Sequence, residues 1–324
     1  MADLRTTYVG IKLKNPVIVS SSGLVDSVEK VKKVEAAGAG AVILKSLFEE
    51  QINHEAGRMI GDNDYPEAAD YILNYSKSNT VDQYLDLIEN AKKAVEIPVF
   101  ASINCVSDVD WTGFATKVEE AGADGLELNI FILPVDGESS ANYEERYFSI
   151  VAKVRKAISI PLVIKMSSYF TNILYMVNKL YALGANAVVL FNRLYEPDIN
   201  IDEMRMTSAD IFSSPSDLRQ TLRWISLVSD RQKDIQLSAS TGVHDYKAII
   251  KLLLAGANTV QVCSVLYKNG VEYLTEMIRD TEEWMDSKGM GSVDEMRGQM
   301  NYRNHKEPGI WERSQFMRYF SSRH

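Results

Sequence analysis

Two lysines close apolar runs in this chain: Lys45 follows Ala41-Val42-Ile43-Leu44, and Lys165 follows Leu162-Val163-Ile164. An ammonium at the mouth of an apolar strand needs a counter-charge or an anionic ligand. Three asparagines, Asn104, Asn129 and Asn192, stand after other apolar runs. Their amides combine donors with acceptors, which suits a planar polar ligand such as a flavin ring or a cyclic imide. Ser240-Thr241-Gly242 and Cys263-Ser264 are small enough for backbone N–H groups to reach phosphate oxygens. Plainer readings stand beside these: a lysine emerging into solvent, asparagines capping loops, featureless tight turns.

Such residues need a scaffold that gathers strand ends on one face. Helical stretches closed by Ala37-Gly38-Ala39, Ala121-Gly122-Ala123, Leu183-Gly184-Ala185 and Ala255-Gly256-Ala257 each lead into a short apolar run. Glycine there takes the left-handed conformation that ends a helix. Ile97-Pro98 and Ile160-Pro161 make two further joints, and the runs at 17–20 and 235–239 bring the strands to eight. Helical periodicity over 28–37 and between the later runs alternates with them. That alternation means parallel strands with right-handed crossovers. Eight units favour a closed (β/α)8 TIM barrel, an α/β fold, over an open sheet with a GxGxxG turn, which this chain lacks. Residues 6–13 read as an N-terminal hairpin. Residues 46–80, rich in asparagine (Asn53, Asn63, Asn74, Asn79), and residues 191–215 read as long loops on the C-terminal face, the usual place for lids and substrate walls. The barrel is expected over residues 1–288. Residues 289–324 form a C-terminal extension whose Trp311, Phe316, Tyr319 and Phe320 pack on the barrel or on a second subunit.

Composition narrows the partners. At 324 residues and 46% hydrophobic the chain can bury a full core. A net charge of -9 without a Lys/Arg block excludes nucleic acid and anionic membrane as partners. Cys105 and Cys263 make neither a disulfide framework nor a metal cluster, and His54, His244, His305 and His324 lack metal-site spacing, so no metal is expected. No window approaches the ~20 apolar residues of a membrane span. The expectation is a cytoplasmic protein.

The chain resembles the class one dihydroorotate dehydrogenases, the soluble FMN barrels. The likeness is carried by Leu13-Lys14-Asn15-Pro16, Ser21-Ser22-Gly23, Ala39-Gly40-Ala41-Val42-Ile43-Leu44-Lys45-Ser46 and Gly256-Ala257-Asn258-Thr259-Val260-Gln261-Val262 with Cys263-Ser264. It implies FMN contacts from Ser22, Gly23 and Ser46, and a place for Lys45 between flavin and substrate. Lys165 would lie near the flavin N1–C2 edge, where a cation suits the charge of the reduced ring. Asn129 and Asn192 would run along flavin and substrate, and Ser240, Thr241, Gly242, Cys263 and Ser264 would hold the phosphate. The resemblance also implies a twofold homodimer.

The departures fall on the substrate side. Where the family reads Asn-Leu-Ser-Cys-Pro-Asn, with cysteine as the base, this chain reads Asn129-Ile130-Phe131-Ile132-Leu133-Pro134. Ile132 cannot take a proton, Pro134 replaces a substrate-binding asparagine, and Arg193 stands where the family has serine. The family's Leu-Pro-Asn loop has become Ser76-Lys77-Ser78-Asn79, leaving Asn74 and Asn79 as substitutes, and the Gly-Gly turn after strand six has become Ser208-Ala209-Asp210. The leading reading is an FMN oxidoreductase acting on a CH–CH bond of an anionic small molecule, resembling dihydroorotate dehydrogenase, with the substrate left open between dihydroorotate and a changed one. The alternatives are a flavin-free lyase or aldolase using Lys165 as a Schiff base, and a non-catalytic flavin-binding relative. Cys105 reads as a small buried residue before a nucleophile.

Overall fold

A computed structural model describes residues 1–48, 66–105, 111–193 and 196–313, with the side chains of 66–79 and 105 outside the description. Eight parallel strands close on themselves: β3 (Val17–Val19), β4 (Ala41–Ile43), β6 (Val99–Cys105), β7 (Gly125–Ile130), β8 (Leu162–Met166), β9 (Ala187–Leu190), β12 (Gln236–Ala239) and β13 (Thr259–Val262). Neighbours in space follow chain order, β13 pairs β3, and β4 pairs β6 to complete the ring, so the fold is the expected (β/α)8 barrel. The N-terminal hairpin is present as β1 (Thr6–Tyr8) and β2 (Ile11–Leu13), paired antiparallel. Its Tyr8 and Leu13 enter a small inner core with Ile18, Ala41, Ile43, Phe100, Val163, Ala187 and Val189, and so plug one end of the barrel. The larger core lies between the strands' outer faces and the helices.

The joints behave as the residue types require. Gly38, Gly122, Gly184 and Gly256 all have positive φ, between 87° and 115°. Asp245 caps the helix Tyr246–Ala255 (α7) by accepting from the Ala248 N–H at 2.8 Å, the usual role of an aspartate ahead of a first turn.

Four expectations need correction. The stretch 46–80 is not all loop: a two-residue strand, β5 (Leu47–Phe48), is followed after 49–65 by a helix, α2 (Pro66–Ala94). Proline at a helix's first position costs no hydrogen bond, and the polar composition hid a helix whose inner face is supplied only further on, by Tyr84, Ile88 and Ala91. Asn74 and Asn79 therefore sit on a helix, with side chains outside the described residues. Residues 191–215 contain an antiparallel hairpin, β10 (Pro197–Asn200) and β11 (Arg205–Ser208). Its residues are mostly exposed, so no buried periodicity announced it. Strands β6 and β7 run on past Ser102 and Leu128, so Asn104 and Asn129 lie inside strands, paired side by side. Finally, the two lysines are not equivalent. Lys45 lies beyond the end of β4 and is exposed, whereas Lys165 lies within β8 and is 6% exposed.

Over residues 289–313 the chain lies along α7 and the helix Leu218–Arg231 (α6). Gly298 N–H donates to Leu253 O at 3.0 Å, Arg303 pairs with Asp230 at 2.9 Å, and Arg231 pairs with Glu312 at 2.6 Å. Val293 and Met296 are fully buried there. Trp311 is partly buried, while Phe316, Tyr319 and Phe320 lie outside the described residues. No described helix is long and apolar enough to cross a membrane, and no metal-ligand cluster occurs among the described residues.

Candidate functional site

Strand alternation decides which side chains face into the barrel. On β7 that face carries Gly125, Glu127 and Asn129; on β8, Val163 and Lys165; on β13, Thr259 and Gln261. Gly125 is needed because a Cβ there would stand 2.5 Å from the Phe100 ring that fills the space. One layer up, polar groups replace the apolar plug. Lys165 Nζ donates to Ser20 Oγ and to Gln261 Oε1, each at 3.0 Å, and stands 3.6 Å from Glu127 Oε1. Gln261 Nε2 donates to Glu127 Oε2 at 2.8 Å.

Above this layer opens a cleft of about 500 Å3, with Lys165 at its floor. Asn192, Arg193, Ser240, Thr241, Gly242, Cys263 and Ser264, all expected at the site, line it, together with Ser20, Ser21, Gln261 and Tyr267. Asn129 joins by accepting from Asn192 Nδ2 at 2.9 Å. Ser46 joins through hydroxyl contacts with Ser21, at 2.9 Å, and with Ser102, at 2.8 Å. Ser22 reaches Cys263; burial pushes the Cys263 thiol up from its ordinary value, against the Ser22 hydroxyl and the Lys165 charge. A Cβ on Gly23 would lie 2.9 Å from Tyr267 Oη.

The turn after β12 is shaped by what its backbone must do. Thr241 and Gly242 have φ of 81° and 79°. Thr241 is a non-glycine residue in left-handed space, which costs on the order of 1–3 kcal/mol. Its hydroxyl donates to Phe191 O at 2.9 Å and holds it there. Gly242 is required twice over, since a Cβ would meet Leu218 N at 2.2 Å. The N–H groups of Thr241 and Gly242 have no acceptor among the described residues, so they remain free for a ligand's oxygens.

Other expected residues stand apart. Lys45 is exposed, lacks a partner among the described residues, and does not line the cleft. Ile132 is partly buried against the core, with its N–H donating to Tyr147 Oη at 3.4 Å, and Pro134 is exposed. Arg193 does line the cleft, but its two terminal nitrogens donate to Ile211 O at 2.6 Å and Asp210 O at 2.7 Å. It braces the loop that forms the cleft's wall.

Sequence reasoning gave no site role to Glu127, Gln261 and Tyr267, while Ser20 belongs to the run of small residues, Ser20-Ser21-Ser22-Gly23, that reads as letting a ligand approach the backbone. Period two along the strands was the available signal for two of them: Glu127 is two residues before Asn129, and Gln261 two before Cys263. It also missed the wall from Ile211 to Ser213. Ser213 N–H donates to Ser264 Oγ at 3.1 Å, Lys268 Nζ to Ser213 O at 3.1 Å, and Ser213 Oγ meets His244 Nε2 at 3.0 Å. Phe212 stacks on Tyr267 with centroids 5.3 Å apart.

Comparison with known proteins places the chain in a family. A family model described as dihydroorotate dehydrogenase matches residues 3–285. The catalytic subunit of dihydroorotate dehydrogenase B (NAD(+)) from Thermoplasma volcanium is 27% identical, over 92% of this chain and 98% of its own length. The protein of the same description from Methanothermobacter thermautotrophicus is 28% identical, over 91% and 97%. Dihydroorotate dehydrogenase A (fumarate) from Lactococcus lactis subsp. lactis is 24% identical, over 92% and 99%. With a match that runs from the N-terminal hairpin through the last barrel helix, the chain belongs to the dihydroorotate dehydrogenase family.

Proposed function

We propose that the protein is an FMN-dependent oxidoreductase acting on a CH–CH bond of a small anionic substrate. The observation that carries this is the cleft itself: a buried ammonium at its floor and, at one end, the free Thr241 and Gly242 N–H groups. The residues present fit FMN. Ser240, Thr241, Gly242, Cys263 and Ser264 would hold the phosphate. Ser22, Gly23, Ser46, Asn129, Lys165 and Asn192 would bound the ring. Bound FMN would supply a two-electron acceptor for hydride. The chain's own part is to orient ring and substrate through Asn129 and Asn192, to exclude water with Phe212 and Tyr267, and to move the proton that accompanies hydride loss.

That last task separates this chain from the named activity of its relatives. From Ile130 to Pro134 no side chain takes a proton. General base catalysis contributes about 10²–10⁴-fold. Dihydroorotate should therefore reduce the flavin slowly or not at all, although dithionite reduces it fully. The measurement is the visible spectrum of the purified protein, followed by anaerobic stopped-flow mixing with dihydroorotate. If only the base is missing, Ile132→Cys restores part of the rate. If Pro134 and Arg193 have also reshaped the pocket, it does not, and the substrate is another anion, with Lys45, Asn74 and Asn79 its remaining candidate contacts. Rapid, saturable reduction of the wild type would show that a base from elsewhere serves, with Cys105 and Ser78 the first to mutate. The Schiff-base reading is weaker because Lys165 is engaged by Ser20, Gln261 and Glu127. Inactivation by borohydride with a carbonyl substrate, in a colourless protein, would revive it.

We also infer a cytoplasmic homodimer. Ile199, Ile201, Met204 and Met206 on and around the β10–β11 hairpin are 61–88% exposed, which is costly for a lone chain in water. A monomeric mass in solution at micromolar concentration would count against it.

A further inference from the structure

Beneath the cleft lies a charge that the proposed chemistry does not use. Glu127 is wholly excluded from solvent, and a carboxylate that deep requires a compensating charge. Its Oε2 accepts from Gln261, while Oε1 has no hydrogen bond among the described residues and faces the Lys165 ammonium at 3.6 Å. Gln261 sits between the two ions and can be oriented in one way only. Its carbonyl accepts from Lys165 and its amide donates to Glu127; reversed, it would set donor against donor and acceptor against acceptor. The other cationic side chain lining the cleft, Arg193, is turned to backbone carbonyls. Lys165 therefore reaches the cleft as half of a neutral pair.

We infer that Glu127 is a positioning residue that sets, through Lys165 and Gln261, the charge felt by the bound flavin, and so holds the flavin's two-electron potential low. The inference rests on the FMN reading. Reduction adds negative charge to a flavin, and a lone buried ammonium at the cleft floor would favour the reduced form. A carboxylate 3.6 Å from that ammonium cancels much of this preference, because little solvent screens the pair. The flavin then passes its electrons more readily to the next acceptor.

The test is the midpoint potential of the flavin-loaded protein, read by equilibration with a redox dye. Glu127→Gln keeps the shape and removes the charge. It should favour reduced over oxidised flavin at least about tenfold more than the wild type does, a rise of roughly 29.6 mV for a two-electron couple. Glu127→Asp, which keeps the charge, should stay nearer the wild type. Ser20→Asp places a second carboxylate beside Lys165 and should shift the potential downward. A flavin-loaded Glu127→Gln protein with the wild-type potential overturns the inference. If that variant does not fold, an unmoved potential in Ser20→Asp overturns it equally. A wild type that takes up no flavin would instead sink the cofactor reading and this inference with it, whereas bound flavin with unmoved potentials sinks this inference alone.

Discussion

Burial makes single residues around the cleft unusually consequential. Removing one member of a buried ion pair strands the other, at about 3–5 kcal/mol, while removing both leaves neither charge exposed to that loss. In the flavin-free protein, Lys165→Met and Glu127→Gln should therefore each destabilise strongly, and the double variant should recover much of the loss. Urea unfolding of the four proteins measures this coupling, and simple additivity would mean that the pair is not compensating. Gly242→Ala is a second residue-scale case. It forces an alanine to φ near 79° and drives its Cβ against Leu218 N at 2.2 Å. A loss on the order of 3 kcal/mol, with weakened FMN uptake, is the expected result. Neither effect could be weighed from the sequence, since Glu127 read as one residue of a short apolar strand and the sequence, though it marked Gly242 as a phosphate-turn residue, does not show Leu218 packed against it.

At the scale of elements, the cleft's outer wall depends on one histidine. His244 stands just ahead of α7 and meets Ser213 Oγ across the cleft's rim. Burial, and then the Lys268 charge, hold its imidazole below the ordinary value of 6.5, with the Ser213 backbone, Asp217 and Asp245 opposing. The unfolded chain thus binds this proton more readily than the folded one. The stability contributed is fully present above the unfolded value and is lost as pH falls through the folded one. The gap in thermal midpoint between wild type and His244→Asn should narrow as pH drops from about 7.5 to about 5. A gap that does not change with pH would count against this role. The strands and their order were readable beforehand because apolar runs and glycine closures are local signals. The β10–β11 hairpin was not, because its side chains face solvent and leave no alternation.

For the whole molecule, residues 289–313 matter as a covering along α6 and α7. The isolated bridge from Asp3 to Ser292 joins the N-terminal segment to the stretch just after the last barrel helix, and Met300 N–H donates to Leu254 O at 2.8 Å. Val293 and Met296 are fully buried, each contributing about 1.5–3 kcal/mol through apolar area removed from water. Truncation after Lys288 should lower the thermal midpoint sharply and expose apolar surface on α7, detectable as aggregation or dye binding. A truncated barrel as stable as the full chain would show that the extension serves only something outside it.

The sequence by itself determined the architecture. Eight apolar runs, six of them entered through a glycine or Ile-Pro joint and all separated by helical periodicity, leave few topologies other than a closed parallel barrel, because each signal lies within one element. It also determined that Ile132 cannot act as a base, which is a matter of composition. What only the tertiary structure decided is how charges and backbone donors face one another. Glu127, Lys165 and Gln261 come from three strands and Ser20 from the end of a fourth, and the pair Ser20 and Gln261 is separated by 241 positions. Their meeting follows from register around the closed ring and the direction of each side chain, quantities that no local pattern encodes. The same closure left Lys45 outside the cleft and Lys165 within it, although the two lysines close similar apolar runs.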